Sequence, residues 1–278
     1  MHRSAILNTK ARSVRPLEVS SVRKALLILG SFSKSHACWS VSELARALQM
    51  PKSTTHNLLR TLDRFGFVKQ SAADKRYYLG PKVYELGVLF AQSDEIIVRA
   101  PAYLRELVEQ TGETAKLGLL SGGRVVVAAA VESSYQLHTR GDVGSSWPLH
   151  STSLGKAILS ILSPVEVNAI VKRHGLPRVT ARSITSLSAL QQAIHEIQER
   201  GYAVDNSENE EGVYCIAVPL PAPAGGAPAS LSISGPSARL TPKKLQGWLP
   251  LLSHTAQQVA LPATLSTTHT AAQPASHR

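Results

Sequence analysis

Between Ser40 and Gly66 the chain encodes two helices separated by a break of two residues, and that spacing admits few tertiary arrangements. Ser40-Val-Ser-Glu43 is a capping box, in which the hydroxyl and the glutamate each take a backbone N–H that the first helical turn leaves unpaired. Val41, Leu44, Ala45 and Leu48 then recur at helical spacing and make one apolar face, which Gln49-Met50 ends. Pro51 opens the next helix, over 51–65, at a first-turn position where proline loses no hydrogen bond. Within it Leu58, Leu62 and Phe65, with Leu59 alongside, are expected to point inward, while Ser53, His56, Asn57, Arg60 and Arg64 share the opposite face. Gly66 stops this helix, and 67–70 and 76–79 read as two short strands around the polar turn 71–75. Upstream, a helix from about Ser21 carries Val22, Ala25, Leu26 and Leu29 at 3–4 residue spacing and ends at Gly30. Helix, helix, short turn, helix, hairpin is the order of a winged helix-turn-helix.

Charge points the same way. Residues 1–80 hold 14 Lys/Arg against 4 Asp/Glu, whereas 81–278 hold 16 against 15, so nearly all of the net +11 lies in the first third. That is the footprint of a polyanion-binding module joined to a neutral one. A helix that enters a major groove needs donors on one face and small residues at its N-terminal end. Lys52, Ser53, Thr54, His56, Asn57 and Arg60 supply that set, and Arg64 extends the face. Lys52, Ser53 and Thr54 also sit at the positive helix end, where phosphate is favoured, and some of these contacts would position the helix without reading sequence. Lys75 and Arg76 in the hairpin are candidates for backbone or minor-groove contact. The expected partner is double-stranded operator DNA. The competing reading, an ordinary amphipathic helix with a solvated face, does not account for the capping box, the tight turn, the hairpin and the charge together.

The rest of the chain alternates between element types. A connector helix is expected from Pro81 to about Gln92, within a connector region 81–98, with Val83, Leu86, Gly87 and Phe90 along one side as a seam for self-association. Beyond it the pattern predicts a helix over 103–111, strands near 114–120, 124–132 and 135–139, and helices near 154–162, 165–173 and 187–201. Strands at 203–206, 214–220 and 229–234 and a last helix over 243–260 complete an α/β or α+β domain spanning 99–262. Residues 1–19 read as a basic flexible arm, 20–80 as the DNA-binding domain, 221–228 as a loop rich in Pro and Ala, and 263–278 as a disordered tail. The fold class is therefore α+β.

Composition removes several classes. With 43% apolar and 18% charged residues the chain is globular, and its longest clean apolar run, 125–131, is far short of the roughly 20 residues of a membrane helix. The basic N-terminus is followed by no apolar h-region, so no secretory leader and no membrane partner are expected. Cys38 and Cys215 lie far apart without metal-ligand spacing, so neither a disulfide scaffold nor a metal or other cofactor is expected, and a cytoplasmic location fits.

Several motifs now coincide. Ser42-Glu-Leu-Ala45, Pro51-Lys-Ser-Thr-Thr-His and Phe65-Gly-Phe-Val68 are followed by Pro148-Leu-His-Ser-Thr-Ser-Leu-Gly-Lys-Ala157, Arg200-Gly-Tyr-Ala-Val-Asp205, the stretch from Glu208 to Cys215 and Leu231-Ser-Ile-Ser-Gly-Pro236. Together they resemble the IclR family of bacterial transcriptional regulators over about residues 20–260. Asn57 departs from that pattern, since members commonly carry arginine there. The resemblance implies a homodimer, often pairing into a tetramer, that binds operator DNA and in some settings contacts RNA polymerase. It also implies a GAF-like effector-binding domain that takes a small organic acid at the backbone of Ser153 and Leu154 and the side chains of Asp205, Cys215, Ser232 and Ser234.

Those positions make physical sense as an anion site. Ser151-Thr-Ser153 falls at a helix start, and Ser232 and Ser234 are two apart on a strand, so their hydroxyls face the same side. Asp205 would accept from a ligand hydroxyl or bind protonated. Each also has a plainer reading: Cys215 as a buried cysteine of an apolar strand, Asp205 as a turn cap, His150 as a packed histidine, the serines as partners of backbone groups. A rival class is an enzyme with Cys215 as nucleophile, His150 as base and Asp205 as orienter, but no Lys or Arg flanks Cys215 to activate it. A ligand-independent architectural DNA binder is the other alternative, and it leaves the large neutral domain without a role.

Overall fold

In the computed structural model, which describes residues 18–220 and 226–261, the chain divides between Phe90 and Ala91 and each part has its own core. Nearly all of the expected basic arm, the expected tail, and residues 221–225 of the Pro/Ala loop lie outside the described residues.

The first unit contains α1 (Ser20–Leu29), β1 (Cys38–Trp39), α2 (Val41–Ala47), α3 (Lys52–Arg64), β2 (Val68–Gln70) and β3 (Tyr77–Leu79). The capping box forms: Glu43 N donates to Ser40 Oγ at 3.2 Å, and Ser40 N donates to Glu43 Oε2 at 2.8 Å. The core gathers Ile28, Leu44, Leu59, Leu62, Val68 and Tyr77. Three expectations about facing are corrected here. Val22 and Leu26 are exposed, because the packed stripe of α1 runs through Ile28 with Ala25 and Leu29 beside it. Phe65 is 66% exposed; it is the C-cap residue, past the last regular turn, so helical phase no longer governs it. Thr55 and Leu59, with Leu62, form the buried i, i+4, i+7 row instead, and Leu58 is half-buried. Pro51 itself is the N-cap, one position earlier than expected. The hairpin also gains a third strand, since β1 pairs antiparallel with β3 through Cys38–Tyr78 and Trp39–Tyr77. Two residues are too few to show any alternation in sequence.

The connector helix ends close to where the sequence places it, and a second helix follows at once. Helix α4 (Pro81–Ser93) stops before Asp94, whose carboxylate caps α5 (Glu95–Thr111) by accepting from Ile96 N at 3.0 Å and Ile97 N at 3.3 Å. The sequence reading started this helix eight residues late because Pro101 reads as a breaker. The packing of Ile96, Ile97, Ala100, Leu104 and Leu107 outweighs the N–H that Pro101 lacks.

The second unit is built on one antiparallel sheet in the order β6-β5-β4-β9-β8-β7, formed by β4 (Thr114–Ser121), β5 (Arg124–Val131), β6 (Ser146–Pro148), β7 (Ala203–Asn206), β8 (Val213–Leu220) and β9 (Ala229–Pro236). Side chains alternate across it. Ala115, Leu117, Ile216, Val218, Leu231 and Ile233 pack on one side with α5 and α10 (Leu249–Ala260). The opposite face is covered by α6 (Ser153–Leu159), α7 (Pro164–His174) and α8 (Leu187–Arg200) through Leu154, Ile158, Leu190 and Ile197. Two expectations fail in this unit. Residues 135–139 form no strand; they belong to a loop, and the edge position beside β5 is taken by β6. The expected single C-terminal helix is broken at Trp248 into α9 (Pro242–Gly247) and α10, with Pro250 in the first turn of the latter.

Candidate functional site: an exposed helix face and a polarised cavity

With Thr55, Leu59 and Leu62 turned inward, the helical period leaves Lys52, Ser53, His56, Asn57, Arg60 and Arg64 exposed on α3, with Thr54 half-buried beside them. Lys75 is exposed in the turn between β2 and β3, where its backbone is left-handed (φ 58°). Arg76 does not join this face. Its guanidinium donates to Glu43 Oε2 at 2.6 Å and to Cys38 Sγ at 3.2 Å, tying the hairpin to β1 and to the start of α2. The Ser40 backbone N–H, and then Arg76, hold the Glu43 carboxyl below its ordinary range, so that tie is ionic at neutral pH.

The second unit encloses a cavity of about 510 Å³, and all six expected effector residues line it. Cross-strand register explains the floor. Asp205 lies opposite Cys215 and Cys215 opposite Ser234, while Lys116 lies opposite Ser232. These residues occupy the sheet face not given to α5 and α10. Above them stand Ser153 and Leu154 at the start of α6, whose cap is Thr152: its hydroxyl accepts from Gly155 N at 3.0 Å. The remaining wall comes from the loop around His138, Thr139 and Arg140 and from the loop 209–213.

The hydroxyls are not equivalent. Ser232 is 2% exposed, and its Oγ makes no hydrogen bond among the described residues although it lines the cavity. Ser153 is in the same state, because Thr152 does the capping. Ser234, by contrast, is engaged: its Oγ lies 2.8 Å from Thr139 Oγ1 and 3.4 Å from the Thr114 carbonyl oxygen. The loop above the cavity is held further by Arg239, which donates to both oxygens of the fully buried Glu113 at 2.5 and 2.8 Å and to the Leu137 carbonyl at 3.0 Å, and stacks over the Tyr135 ring.

Asp205 is 3% exposed and caps a turn, accepting from Glu208 N at 2.7 Å. Burial pushes its pKa up to about 7; the turn hydrogen bond and Lys156 oppose that shift, and the Glu208 carboxylate adds to it. Glu208 in turn accepts from Lys156 Nζ at 2.5 and 2.6 Å, an ion pair almost fully withdrawn from water. The sign of the pH effect follows. A carboxyl that holds its proton more tightly folded than unfolded makes stability fall as pH rises, here between about 4 and 7. Asp205→Asn should therefore melt above the parent at pH 8, with the gap shrinking as pH falls from 7 toward 4. A gap independent of pH would mean that Asp205 is ionised throughout.

The thiol chemistry required of a nucleophile is absent. Burial pushes the Cys215 thiol far up, and Asp205 nearby pushes it further. His150 cannot serve Cys215 as a base: its Nε2 pairs with the Pro177 carbonyl oxygen at 3.0 Å, and it lines a different cleft, with His174. Among the described residues no cluster of His, Cys, Asp or Glu could hold a metal ion, and no helix is long and apolar enough to cross a membrane.

Sequence reasoning missed Lys116, Arg140, Thr152 and Asn209, which also line the cavity. A single lysine in an otherwise apolar strand reads as the solvent face, and only the register of β4 against β9 turns it inward.

A winged helix-turn-helix with a basic exposed face, followed by a sheet domain with a polar cavity, defines a DNA-binding regulator of two domains. Residues 21–72 match the IclR helix-turn-helix domain and residues 88–261 match the bacterial transcriptional regulator IclR C-terminal domain, and the chain belongs to this family of DNA-binding transcriptional regulators. It is 35% identical over 246 residues to the HTH-type transcriptional regulator KdgR of Escherichia coli K12, an alignment covering 88% of this chain and 93% of that protein. Its fold superposes with a TM-score of 0.80 on a putative IclR transcriptional regulator from Silicibacter sp. TM1040, at 29% identity over 86% of this chain and 94% of that one. An IclR homologue from Microbacterium hydrocarbonoxydans, solved in complex with 4-hydroxybenzoate, shares the fold at 20% identity (TM-score 0.67, covering 87% of this chain and 98% of that one). A second curated relative, XynR of Escherichia coli K12, is likewise an HTH-type transcriptional regulator, 32% identical over 82% of this chain and 90% of that protein.

Proposed function

We propose that a small carboxylate bound in the cavity between α6 and the sheet controls how this regulator engages operator DNA. The observation that carries the reading is the pair of serine hydroxyls, Ser232 and Ser153, that open onto the cavity and make no hydrogen bond among the described residues. Both hydroxyls are reached from the cavity, since no solvent-excluded polar side-chain atom among the described residues lacks a partner, and both are free to donate to a bound anion. Because α6 has only seven residues, the hydroxyls matter more here than a helix dipole. A relative of the same fold holds a hydroxylated aromatic acid.

On the DNA side the reading places Lys52, Ser53, Thr54, His56, Asn57, Arg60 and Arg64 of α3 on the operator, with Lys75 at the adjacent strand of DNA. Arg76 is left out, because its guanidinium is committed to Glu43. Two copies would read two half-sites, as dimer symmetry requires. No residue of α4 is buried, and its exposed Leu86 and Phe90 suit the expected seam. Higher association into a tetramer, contact with RNA polymerase and a cytoplasmic setting belong to the same proposal.

The test is a calorimetric and operator-binding screen of small carboxylic acids. At least one acid should raise the melting temperature and change operator affinity. Ser232→Ala should weaken that acid by about 1.5–3 kcal/mol, the range of a hydrogen bond to a charged group, and operator binding without the acid should be unchanged. Operator affinity indifferent to every acid that binds the chain would leave an architectural DNA binder.

A further inference from the structure

The cavity is electrically polarised, and the polarity assigns a direction to whatever fills it. Lys116 projects from β4, flanked by the small residues Ala130 on β5 and Ser232 on β9. It makes no ion pair or hydrogen bond among the described residues, yet it is half-buried and lines the cavity. His138 and Arg140 add positive charge to the lining; His138 holds its proton more tightly than usual because the Tyr135 carbonyl and the Glu132 carboxylate accept from its ring nitrogens. At the other end lie Asp205 on β7 and the exposed Glu210 and Glu211 of the following loop. Asp142 is the remaining acidic residue of the lining.

We propose that Lys116 is the anion anchor of this cavity, so that the effector lies with its carboxylate over β4 beside Ser232 and a hydroxyl over β7 at Asp205. The inference rests on the reading that the cavity binds a carboxylate, and it adds which residue takes the charge and what length of ligand is required. Strands β4 and β7 are separated by β9 and β8, so the floor between them spans about 14 Å at ordinary strand spacing. The side chains at either end take up part of that span, and what is left suits a six-membered ring or a chain of about six carbons. A two- or three-carbon acid can satisfy one end only. A lysine without a counter-ion in a half-buried site gains a charge-assisted hydrogen bond when a carboxylate arrives, whereas a neutral ligand leaves it as it was. The acidic far end repels a second carboxylate, so a hydroxy monoacid is favoured over a diacid.

The experiment titrates the full chain with gluconate and 4-hydroxybenzoate and with their uncharged counterparts, glucose and 4-hydroxybenzyl alcohol, reading melting temperature and heat of binding. The parent should bind at least one of the acids and neither neutral counterpart. Lys116→Met and Lys116→Gln should each weaken that acid roughly 10- to 100-fold, the range of one hydrogen bond to a charged group. Lys116→Arg should stay within a few-fold of the parent. Unliganded melting and operator affinity should be unchanged in all three. At the far end, replacing 4-hydroxybenzoate by benzoate should cost affinity in the parent and nothing in Asp205→Ala. If Lys116→Met and Lys116→Gln bind the acid as tightly as the parent, the anchor is wrong while the effector reading stands. Equal binding of the neutral counterparts also overturns it. If neither acid binds the parent, the six-carbon hydroxy-acid assignment fails together with the anchor, and the wider acid screen alone then decides the effector reading.

Discussion

Lys156→Met is expected to lower the stability of the second unit by about 3–5 kcal/mol, a large fraction of what a domain of this size has to lose. The substitution keeps the aliphatic stem and removes only the ammonium, which leaves the Glu208 carboxylate buried without a counter-charge. The Glu208 backbone is fixed as well, its N–H donating to Asp205 and its carbonyl accepting from Thr180 and Ser183, so the loop cannot swing the carboxylate into water without breaking those bonds. The double change Lys156→Met with Glu208→Leu should recover most of the loss, because an apolar pair of similar volume avoids the desolvation that both charges incur. Urea unfolding of the single and double variants measures both quantities. A loss under about 1 kcal/mol for the single variant would mean that water reaches the pair.

Gly80→Ala should be nearly as damaging, and only to the first unit. A Cβ at Gly80 would stand 2.1 Å from the Gly66 carbonyl oxygen and 2.8 Å from its carbon, both backbone atoms that cannot rotate aside. Gly80 N also donates to Phe67 O at 2.8 Å, which fastens the end of β3 to the end of α3. Overpacking of this kind costs about 1–3 kcal/mol, and a rigid backbone neighbour puts the change at the upper end. Operator affinity should fall more than tenfold, and thermal unfolding should show the first unit melting earlier. Binding of a carboxylate by the second unit should be unaffected. Parent-like operator affinity would mean that the hairpin tolerates a shift at its root.

The elements that sequence reasoning located well are those with strong local punctuation. Ser40 and Glu43 announce α2, Gly66 ends α3, and Ser186 caps α8, all from residues within a few positions of the boundary. The failures lie where a distant contact decides. Pro101 sits inside α5 because the sheet packs against that helix, Phe65 is exposed because it lies beyond the helical register, and the two-residue β1 exists only as a partner for β3. The cavity divides in the same way. The family motifs brought Ser153, Leu154, Asp205, Cys215, Ser232 and Ser234 together, and they share one cavity. Lys116 has no motif around it, and Arg76 lost its expected role to a glutamate 33 residues away. Neither could be read without knowing which strand lies next to which.

The protonation state of Asp205 reaches beyond stability. A group with a pKa of about 7 is divided between two forms at neutral pH, so any molecule that touches it must select one of them. A ligand hydroxyl selects the carboxylate and expels a proton to the buffer, whereas a ligand carbonyl oxygen selects the acid and takes a proton up. The heat of association would then vary with the ionisation enthalpy of the buffer, in opposite directions for the two ligand types. If the proposed carboxylate binds there, the same linkage would make its apparent affinity follow pH, so the regulator would respond to two signals, the concentration of that ligand and the proton activity around it.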